Sequence, residues 1–332
     1  MLRTQLRIVY TFGALVFVMG LAACGGGSNP SPIPTATATP MITEYPLSTA
    51  NSGPEGIAAG PDGALWFTER GGNDIGRITT AGAITEFPIP TAVGGPGGIA
   101  AGPDGALWFT ECGASKIGRI TTAGVISEYP TLTANSTPLD IATGSDGALW
   151  FTEYANNKIG RMTSAGAMTE YVIPTANSYP QGIATGSDGA VWFTEANADK
   201  IGRITTSGVI TEYPITTAQS GPVSIVSGPD SAMWFTEYAG DKIGRLTTAN
   251  VMTEYPIPTA GSEPSSIATG PDGAIWFTEG NGNKIGRITT AGMMSEFPLS
   301  TANSGPFDIA AGSDGALWFA EANGNKIGRI LP

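Results

Sequence analysis

Seven tryptophans recur at a fixed spacing of 42 residues, and the chain has no others. They are Trp66, Trp108, Trp150, Trp192, Trp234, Trp276 and Trp318. Each lies in a near-identical phrase, Gly-Pro/Ser-Asp-Gly-Ala-x-Trp-Phe, which is followed after a short loop by Ile-Gly-Arg. Repeats of about 42 residues that are rich in turn residues are typical of four-stranded propeller blades. The spacing therefore predicts an all-β fold, a seven-bladed β-propeller with four antiparallel strands per blade.

The burial expected of individual strands agrees with this prediction. The run Leu65-Trp66-Phe67 shows no polar alternation, so both faces of that strand should be buried between neighbouring blades. The last strand of the repeat carries proline in six of its seven copies, for example Pro88. Proline lacks a backbone donor and is confined to edge strands, so we expect this strand at the outer edge of each blade.

The two ends of the repeat array are complementary. The array begins with a fourth strand, 42–47, and finishes with a third strand, 326–331. We therefore expect the N-terminal strand to complete the last blade and close the ring, which makes 41–332 a single propeller domain.

The first 40 residues have a different composition. Arg3 and Arg7 precede an apolar stretch that leads to Leu21-Ala22-Ala23-Cys24, and this pattern predicts a signal peptide over 1–23. The Leu-Ala-Ala-Cys sequence resembles a bacterial lipobox, which implies cleavage before Cys24 and lipidation of its sulfur; a plain signal peptide with an incidental cysteine is the alternative. Residues 24–40, rich in Gly, Ser, Pro and Thr, are expected to form a flexible tether. The prediction is a lipid-anchored protein of the bacterial cell envelope, on the extracytoplasmic side of a membrane.

The charge of the chain restricts its partners. The formal net charge is −12, and it becomes −14 when Arg3 and Arg7 leave with the signal peptide. An acidic surface argues against nucleic acid as a partner, and it permits divalent cations or cationic ligands. The only cysteine besides Cys24 is Cys112, and the chain has no histidine that could activate it. A closed propeller needs no second copy to fold, so we expect a monomer.

Most charged residues recur in every copy and are expected to be structural, through turn closure or a Glu–Arg pair between strands. The exceptions fall in two connections, the one before the first strand and the one after the Trp strand, which strand alternation places on the same face of the disc. Loops on a rigid scaffold are where binding usually occurs, so we predict a binding face around the channel mouth. Its predicted residues are Glu55, Asp140, Tyr154, Gln181, Tyr238, Ser265, Phe307 and Asp308.

The phrases Ile-Thr-Glu-Tyr-Pro, Gly-Pro-Asp-Gly-Ala-Leu-Trp-Phe-Thr-Glu and Asn-Lys-Ile-Gly-Arg-Ile-Thr resemble those of the virginiamycin B lyase family over the whole array. The resemblance implies a seven-bladed propeller that opens the ester of streptogramin B antibiotics, which are cyclic depsipeptides, by elimination with magnesium and a histidine base. The Glu-Pro-His-Gly stretch of the family matches Glu263-Pro264-Ser265-Ser266, and its second glutamate matches Glu279. A second family histidine would fall at Val223. The resemblance makes Glu263 and Glu279 the candidate catalytic residues and magnesium ligands, but both histidines are missing.

Three hypotheses about function follow. The preferred one is an envelope-tethered propeller that binds a small molecule or a protein at its acidic mouth and lacks the histidine-dependent catalysis of the family. The alternative is a divalent-metal-dependent lyase, or a hydrolase, that uses Glu263 and Glu279 on a streptogramin B or a related substrate. The third is a structural envelope component whose variable face has little importance.

Overall fold

The computed structural model of the protein describes residues 40–332; the predicted signal peptide, almost all of the predicted tether and Cys24 lie outside this range. Within it, the chain forms 28 strands in seven four-stranded antiparallel sheets. The predicted all-β, seven-bladed propeller is confirmed. In the described part of the chain, no helix combines the length and the apolar character needed to cross a membrane.

The inner half of each blade is built from two strands. The innermost strands are β2 Pro54–Ala59, β6 Pro96–Ala101, β10 Pro138–Thr143, β14 Pro180–Thr185, β18 Pro222–Ser227, β22 Pro264–Thr269 and β26 Pro306–Ala311. The Trp strands follow them as β3 Leu65–Glu69, β7 Leu107–Glu111, β11 Leu149–Glu153, β15 Val191–Glu195, β19 Met233–Glu237, β23 Ile275–Glu279 and β27 Leu317–Glu321. Every residue of the Trp strands is buried, as their apolar runs predict.

The outer half of each blade contains the Ile-Gly-Arg strand and the edge strand. The third strands are β4 Asp74–Ile78, β8 Lys116–Ile120, β12 Lys158–Met162, β16 Lys200–Ile204, β20 Lys242–Leu246, β24 Lys284–Ile288 and β28 Lys326–Ile330. The edge strands are β1 Ile42–Pro46, β5 Ile84–Pro88, β9 Ile126–Pro130, β13 Met168–Val172, β17 Ile210–Pro214, β21 Met252–Pro256 and β25 Met294–Pro298. Each edge strand ends at the position of the repeated proline, which confirms its predicted place at the rim.

The ring closes as predicted, with the N-terminal strand as the fourth strand of the last blade. Strand β1 pairs antiparallel with β28, from Ile42 opposite Ile330 to Pro46 opposite Lys326, and the last sheet has the order β1-β28-β27-β26. The Tyr45 ring stacks on Trp318 with their centroids 5.5 Å apart. The first strand of the domain is therefore part of its last blade.

The core consists of layers between adjacent blades. Trp150 of the third blade packs in one buried cluster with Phe193 of the fourth. Within a blade, Phe151 lies opposite Gly160 of the Ile-Gly-Arg strand, and a Cβ at Gly160 would stand 2.1 Å from the phenyl ring. This glycine is therefore needed for close approach of the aromatic ring to the backbone.

The turn between the first two strands carries the repeated aspartate. In the third blade, Asp146 accepts hydrogen bonds from the indole N–H of Trp150 at 3.1 Å and the backbone N–H of Ala148 at 3.2 Å. Its other oxygen pairs with Arg161 at 2.6 Å, and the guanidinium lies over the Trp150 ring. Two structural roles are expected for the repeated charges, turn closure and a Glu–Arg pair between strands. The arginine pairs with the turn aspartate, so it contributes to turn closure and does not form the Glu–Arg pair.

Candidate functional site

The innermost strands of all seven blades together surround a cavity of about 150 Å³ at the channel mouth. Each blade contributes the residue that follows the first proline of its innermost strand, which is the position with the greatest variety among the copies. The structure brings six of the eight predicted binding-face residues into this one cavity, namely Glu55, Asp140, Gln181, Ser265, Phe307 and Asp308.

Asp140 faces the channel from the third blade and bridges to the fourth. Its carboxylate accepts hydrogen bonds from the N–H of Ile141 at 2.8 Å and from the N–H of Ile183 in the next blade at 3.0 Å. Burial raises the pKa of the Asp140 carboxyl to about 7; the Ile183 bond opposes this, and the charge of Asp308 adds to it.

Asp308 makes the same bridge from the seventh blade to the first. It accepts hydrogen bonds from the N–H groups of Ile309 and Ile57, at 2.8 and 2.7 Å, and from the Ser266 hydroxyl. Burial raises the pKa of Asp308, and these three bonds oppose the change. Both aspartates therefore join neighbouring blades as well as line the cavity.

A charged pair covers another part of the mouth. The Arg70 Nη1 atom donates to both oxygens of Glu55, at 3.1 and 3.2 Å. Burial raises the pKa of Glu55, and the adjacent guanidinium opposes it. Cys112 lies in the same cavity but is buried, which raises the pKa of its thiol to about 11. A thiol in this state is a poor nucleophile, as expected for a residue that only fills space.

A second cavity, of about 300 Å³, has lining residues from the fifth, sixth and seventh blades, among them Tyr238, Glu263, Ser265 and Phe307. The Tyr238 hydroxyl donates to Glu263 Oε2 at 2.6 Å, and this bond raises the pKa of Tyr238 to about 12. The side chains of Tyr238 and Phe307 are 39% and 43% exposed, so two aromatic surfaces face the cavity. Ser265 lies deeper, 8% exposed, and its hydroxyl donates to the carbonyl oxygen of Glu263 at 3.3 Å.

Tyr154 lines neither cavity but stacks on a residue that the sequence reasoning missed. Its ring and that of Tyr179 have centroids 4.9 Å apart at an interplanar angle of 25°. Tyr179 has a φ of 52°, at a position before the proline where four copies carry glycine. A bulky residue in the left-handed region is uncommon and marks a special position. The missed signal was this exchange of tyrosine for glycine within the repeat.

Glu279 is paired in the sheet with Pro264, the residue after Glu263, but its side chain has different surroundings. It is wholly buried at the end of its Trp strand, and it is absent from the lining of both cavities. Burial raises the pKa of Glu279 to about 8, and Glu296 adds to this effect while Lys284 opposes it. Within residues 40–332, no group of three or more Asp, Glu or Cys side chains is arranged to hold a metal ion as it stands. The two candidate magnesium ligands therefore differ in their surroundings, because Glu263 lines a cavity and Glu279 is buried in the core.

Comparison with known proteins agrees with the fold. A family model described as the virginiamycin B lyase family matches residues 28–192 and 183–332. The chain is similar to a solved streptogramin B lyase, with 42% identity and a TM-score of 0.85 over 88% of this chain and 97% of that one.

It is equally similar to a catalytically inactive histidine-to-alanine variant of virginiamycin B lyase from Staphylococcus aureus, solved with quinupristin, with 42% identity and a TM-score of 0.85 over 88% of this chain and 99% of that one. Curated virginiamycin B lyases from Bordetella parapertussis and Bordetella bronchiseptica are 48% identical over 42 residues. That stretch spans 13% of this chain and only 14% of each relative.

Proposed function

The chain belongs to the virginiamycin B lyase family, and on this premise we propose that it is a ligand- or protein-binding propeller without the histidine-dependent catalysis of that family. One observation carries the proposal: the chain contains no histidine, and Ser265 stands where the family motif has one. Shared fold does not carry shared chemistry when the reacting groups differ.

The elimination reaction needs a base that removes a proton from carbon, and such a base must combine reach with a suitable pKa. The Ser265 hydroxyl donates a hydrogen bond to the Glu263 carbonyl oxygen, and it has no basic partner to activate it among its described contacts. The Glu263 carboxylate accepts a hydrogen bond from Tyr238, and the wholly buried Glu279 is absent from the lining of both cavities. These placements favour binding over proton abstraction.

The mouth offers chemistry suited to binding. Two aspartates lie across the channel, an Arg–Glu pair covers the first blade, and exposed aromatic rings lie beside the sixth and seventh blades. Aromatic faces with a few fixed polar groups are characteristic of small-molecule sites and of protein interfaces. We expect the ligand to carry an apolar ring together with hydrogen-bond donors or positive charge.

The alternative, a carboxylate-dependent lyase that opens a streptogramin B or a related depsipeptide, is supported by the fixed position of Glu263. The 2.6 Å bond from Tyr238 holds this carboxylate beside Ser265 and Phe307 in the second cavity. The wholly buried Glu279 lines neither cavity and gives no support to a magnesium ion shared with Glu263.

The deciding experiment is incubation of the purified protein with quinupristin, with and without magnesium, followed by chromatography and mass spectrometry. Binding without conversion is the expected result, with retention time and mass unchanged and a measurable Kd by calorimetry. Ring opening by elimination would leave the mass unchanged but shift the retention time and fragmentation, and would establish the lyase. Hydrolysis would add one water to the mass.

The binding face is tested separately from the chemistry. The combined variant Glu55→Gln, Asp140→Asn, Glu263→Gln and Asp308→Asn should lose capture of the ligand or partner. It should still unfold cooperatively, with lower stability than the parent because Asp140 and Asp308 also join neighbouring blades. Unchanged behaviour of this variant would leave the third hypothesis, a structural envelope component.

We further propose that the protein is anchored to a membrane of the bacterial envelope by a lipid on Cys24. The sequence before Cys24 supports this, although it lies outside the described residues. Metabolic labelling with a radioactive fatty acid in a bacterial host should mark the parent and the Cys112→Ala control, but not Cys24→Ala. Label that remains in Cys24→Ala would contradict the anchor.

A further inference from the structure

The first blade differs from the other six at the start of its third strand. In the six other blades a lysine begins this strand, and its ammonium group lies 2.6–3.1 Å from the carboxylate of the edge-strand glutamate. These lysines are Lys116, Lys158, Lys200, Lys242, Lys284 and Lys326. In the first blade the same position is Asp74, so a negative charge replaces a positive one.

The second blade shows what surrounds the ammonium group. Lys116 Nζ donates to Glu128 Oε2 at 2.8 Å and to Thr91 Oγ1 at 2.5 Å. The hydrogen bond to Glu128 raises the pKa of Lys116, and the charge of the buried Glu111, at the end of the Trp strand, adds to this effect. The lysine thus places one positive charge among two carboxylates and a hydroxyl.

The first blade keeps the two glutamates and the threonine hydroxyl of this arrangement, but the lysine ammonium group is absent. Thr49 Oγ1 donates to Glu86 Oε2 at 2.7 Å, and Ser48 Oγ donates to Glu86 Oε1 at 2.9 Å. Glu69 is wholly buried, and neither of its carboxylate oxygens has a hydrogen-bond partner in the described part of the chain. Glu69 and Asp74 are directly paired residues of β3 and β4, and the charges of Glu86 and Asp74 both act on Glu69.

The electrostatic consequence is crowding of like charges. Burial raises the pKa of Glu69 to about 7, with Glu86 and Asp74 adding to the effect of burial and Ser52 opposing it. Burial and the charge of Glu86 also raise the pKa of Asp74. Carboxylate and hydroxyl oxygens with excess negative charge are the ligands that hard divalent cations take in proteins.

We propose that the first blade binds one divalent cation of the oxygen-preferring class, Ca²⁺ or Mg²⁺, at the position that the lysine ammonium occupies in the other six blades. Glu69, Asp74 and Glu86 supply the carboxylates, and Thr49 supplies a hydroxyl. The described side chains are not a finished cage. Binding therefore requires that the cation draw the half-buried Asp74 side chain toward Glu69 and Glu86.

The site lies at the closing junction of the ring. Ser48 and Thr49 belong to the connection between β1, which completes the last blade, and β2, which begins the first. A cation that joins this connection to β3, β4 and the edge residue Glu86 therefore ties the last blade to the first. Its removal should weaken the junction where the chain ends meet, without a change at the channel mouth.

The test is calorimetric titration of the EDTA-treated, dialysed full chain with CaCl₂ and, separately, with MgCl₂, together with thermal unfolding. One equivalent of Ca²⁺ or Mg²⁺ should bind, and the Tm should rise by about 5 °C at a hundredfold excess over Kd. Asp74→Lys, which copies the six other blades, should fold and lose both responses. Asp74→Asn should weaken binding at least tenfold.

The second blade provides the matched control. Lys116→Asp creates the same three-carboxylate arrangement with Glu111 and Glu128, so the stoichiometry should rise from one to two. Glu263→Gln should leave the titration unchanged, which separates this site from any ion at the mouth. The proposal is overturned if neither cation binds the parent, if Asp74→Lys binds as the parent does, or if Lys116→Asp gains no equivalent.

Discussion

The two faces of the disc are made from the same repeat and yet differ in how far the copies agree. On one face, the turn aspartate holds the Trp indole N–H at 3.0–3.1 Å and pairs with the arginine at 2.6–2.8 Å in all seven blades. On the other face, the position after the first proline holds seven different residues.

The difference indicates what each face is for. Each turn must satisfy a buried indole donor and fix its own hairpin, so any departure costs stability in that blade. The mouth residues lie on a rigid support and are not needed to hold it, so their variety is available for recognition. Asp140 and Asp308 are exceptions, because they also join neighbouring blades.

The largest expected effect breaks the ring itself. Deletion of residues 41–48 removes β1, leaves β28 as an unpaired edge and uncovers Trp318, which stacks on Tyr45. We expect loss of cooperative thermal unfolding, measured by circular dichroism. A control variant that lacks only residues 1–40 keeps β1 and should melt as the full chain does. A cooperative transition in the variant that lacks β1 would contradict closure of the ring by this strand.

The next effect concerns the buried glutamates that end the Trp strands. Glu153 is wholly buried and faces Glu170 and Lys158; burial raises its pKa to about 8, Glu170 adds to this, and Lys158 opposes it. In the unfolded chain the pKa is near 4.5. Protonation therefore favours the folded state, and its contribution is complete below the unfolded value, declines above about pH 4.5, and is lost above pH 8.

Glu153→Gln cannot ionise and should remove this dependence. Between pH 5 and pH 9 its free energy of unfolding should rise relative to the parent by on the order of 3 kcal/mol. Urea unfolding at the two pH values measures the change. If the free energies of unfolding of variant and parent differ by the same amount at pH 5 and at pH 9, then Glu153 is ionised in the folded protein at both pH values.

A smaller loss is expected on the turn face. Asp146→Ala leaves the Trp150 indole N–H buried without its acceptor and removes the partner of Arg161. The expected cost is about 2 kcal/mol in the free energy of unfolding, measured by denaturant titration, with ligand capture at the mouth unchanged. A loss of capture with full stability would show that the two faces are not separate in function.

The sequence predicts those features of the fold that recur in every repeat. The Trp spacing, the apolar run at Leu65 and the edge prolines predict the blades, their strand order and the closing strand, because these features recur and depend on local physics. The clustering of Glu55, Asp140, Gln181, Ser265, Phe307 and Asp308 at one mouth also follows from the repeat register.

What the sequence does not predict depends on contacts between blades. The Tyr154–Tyr179 stack joins the loop of one blade to the next, and the bridge from Asp140 reaches the Ile183 backbone across a boundary. That Glu279 is wholly buried while Glu263 lines a cavity also depends on the packed structure. Such contacts join positions that no periodic pattern pairs.

The smallest expected effect is a comparison within the seventh blade, which has one phenylalanine at the mouth and one in the core. Phe307 is 43% exposed at the mouth and Phe319 is fully buried in the core. Phe319→Ala should cost about 3–5 kcal/mol through lost burial and a cavity, whereas Phe307→Ala should change the free energy of unfolding by no more than about 0.5 kcal/mol. Denaturant unfolding of the two variants measures both. A cost above about 1 kcal/mol at Phe307 would mean that the mouth is part of the scaffold, and the variety of its residues would then reflect packing in each blade and not recognition. A near-neutral result, together with weaker ligand capture, would mean that this ring is exposed for the sake of what it binds.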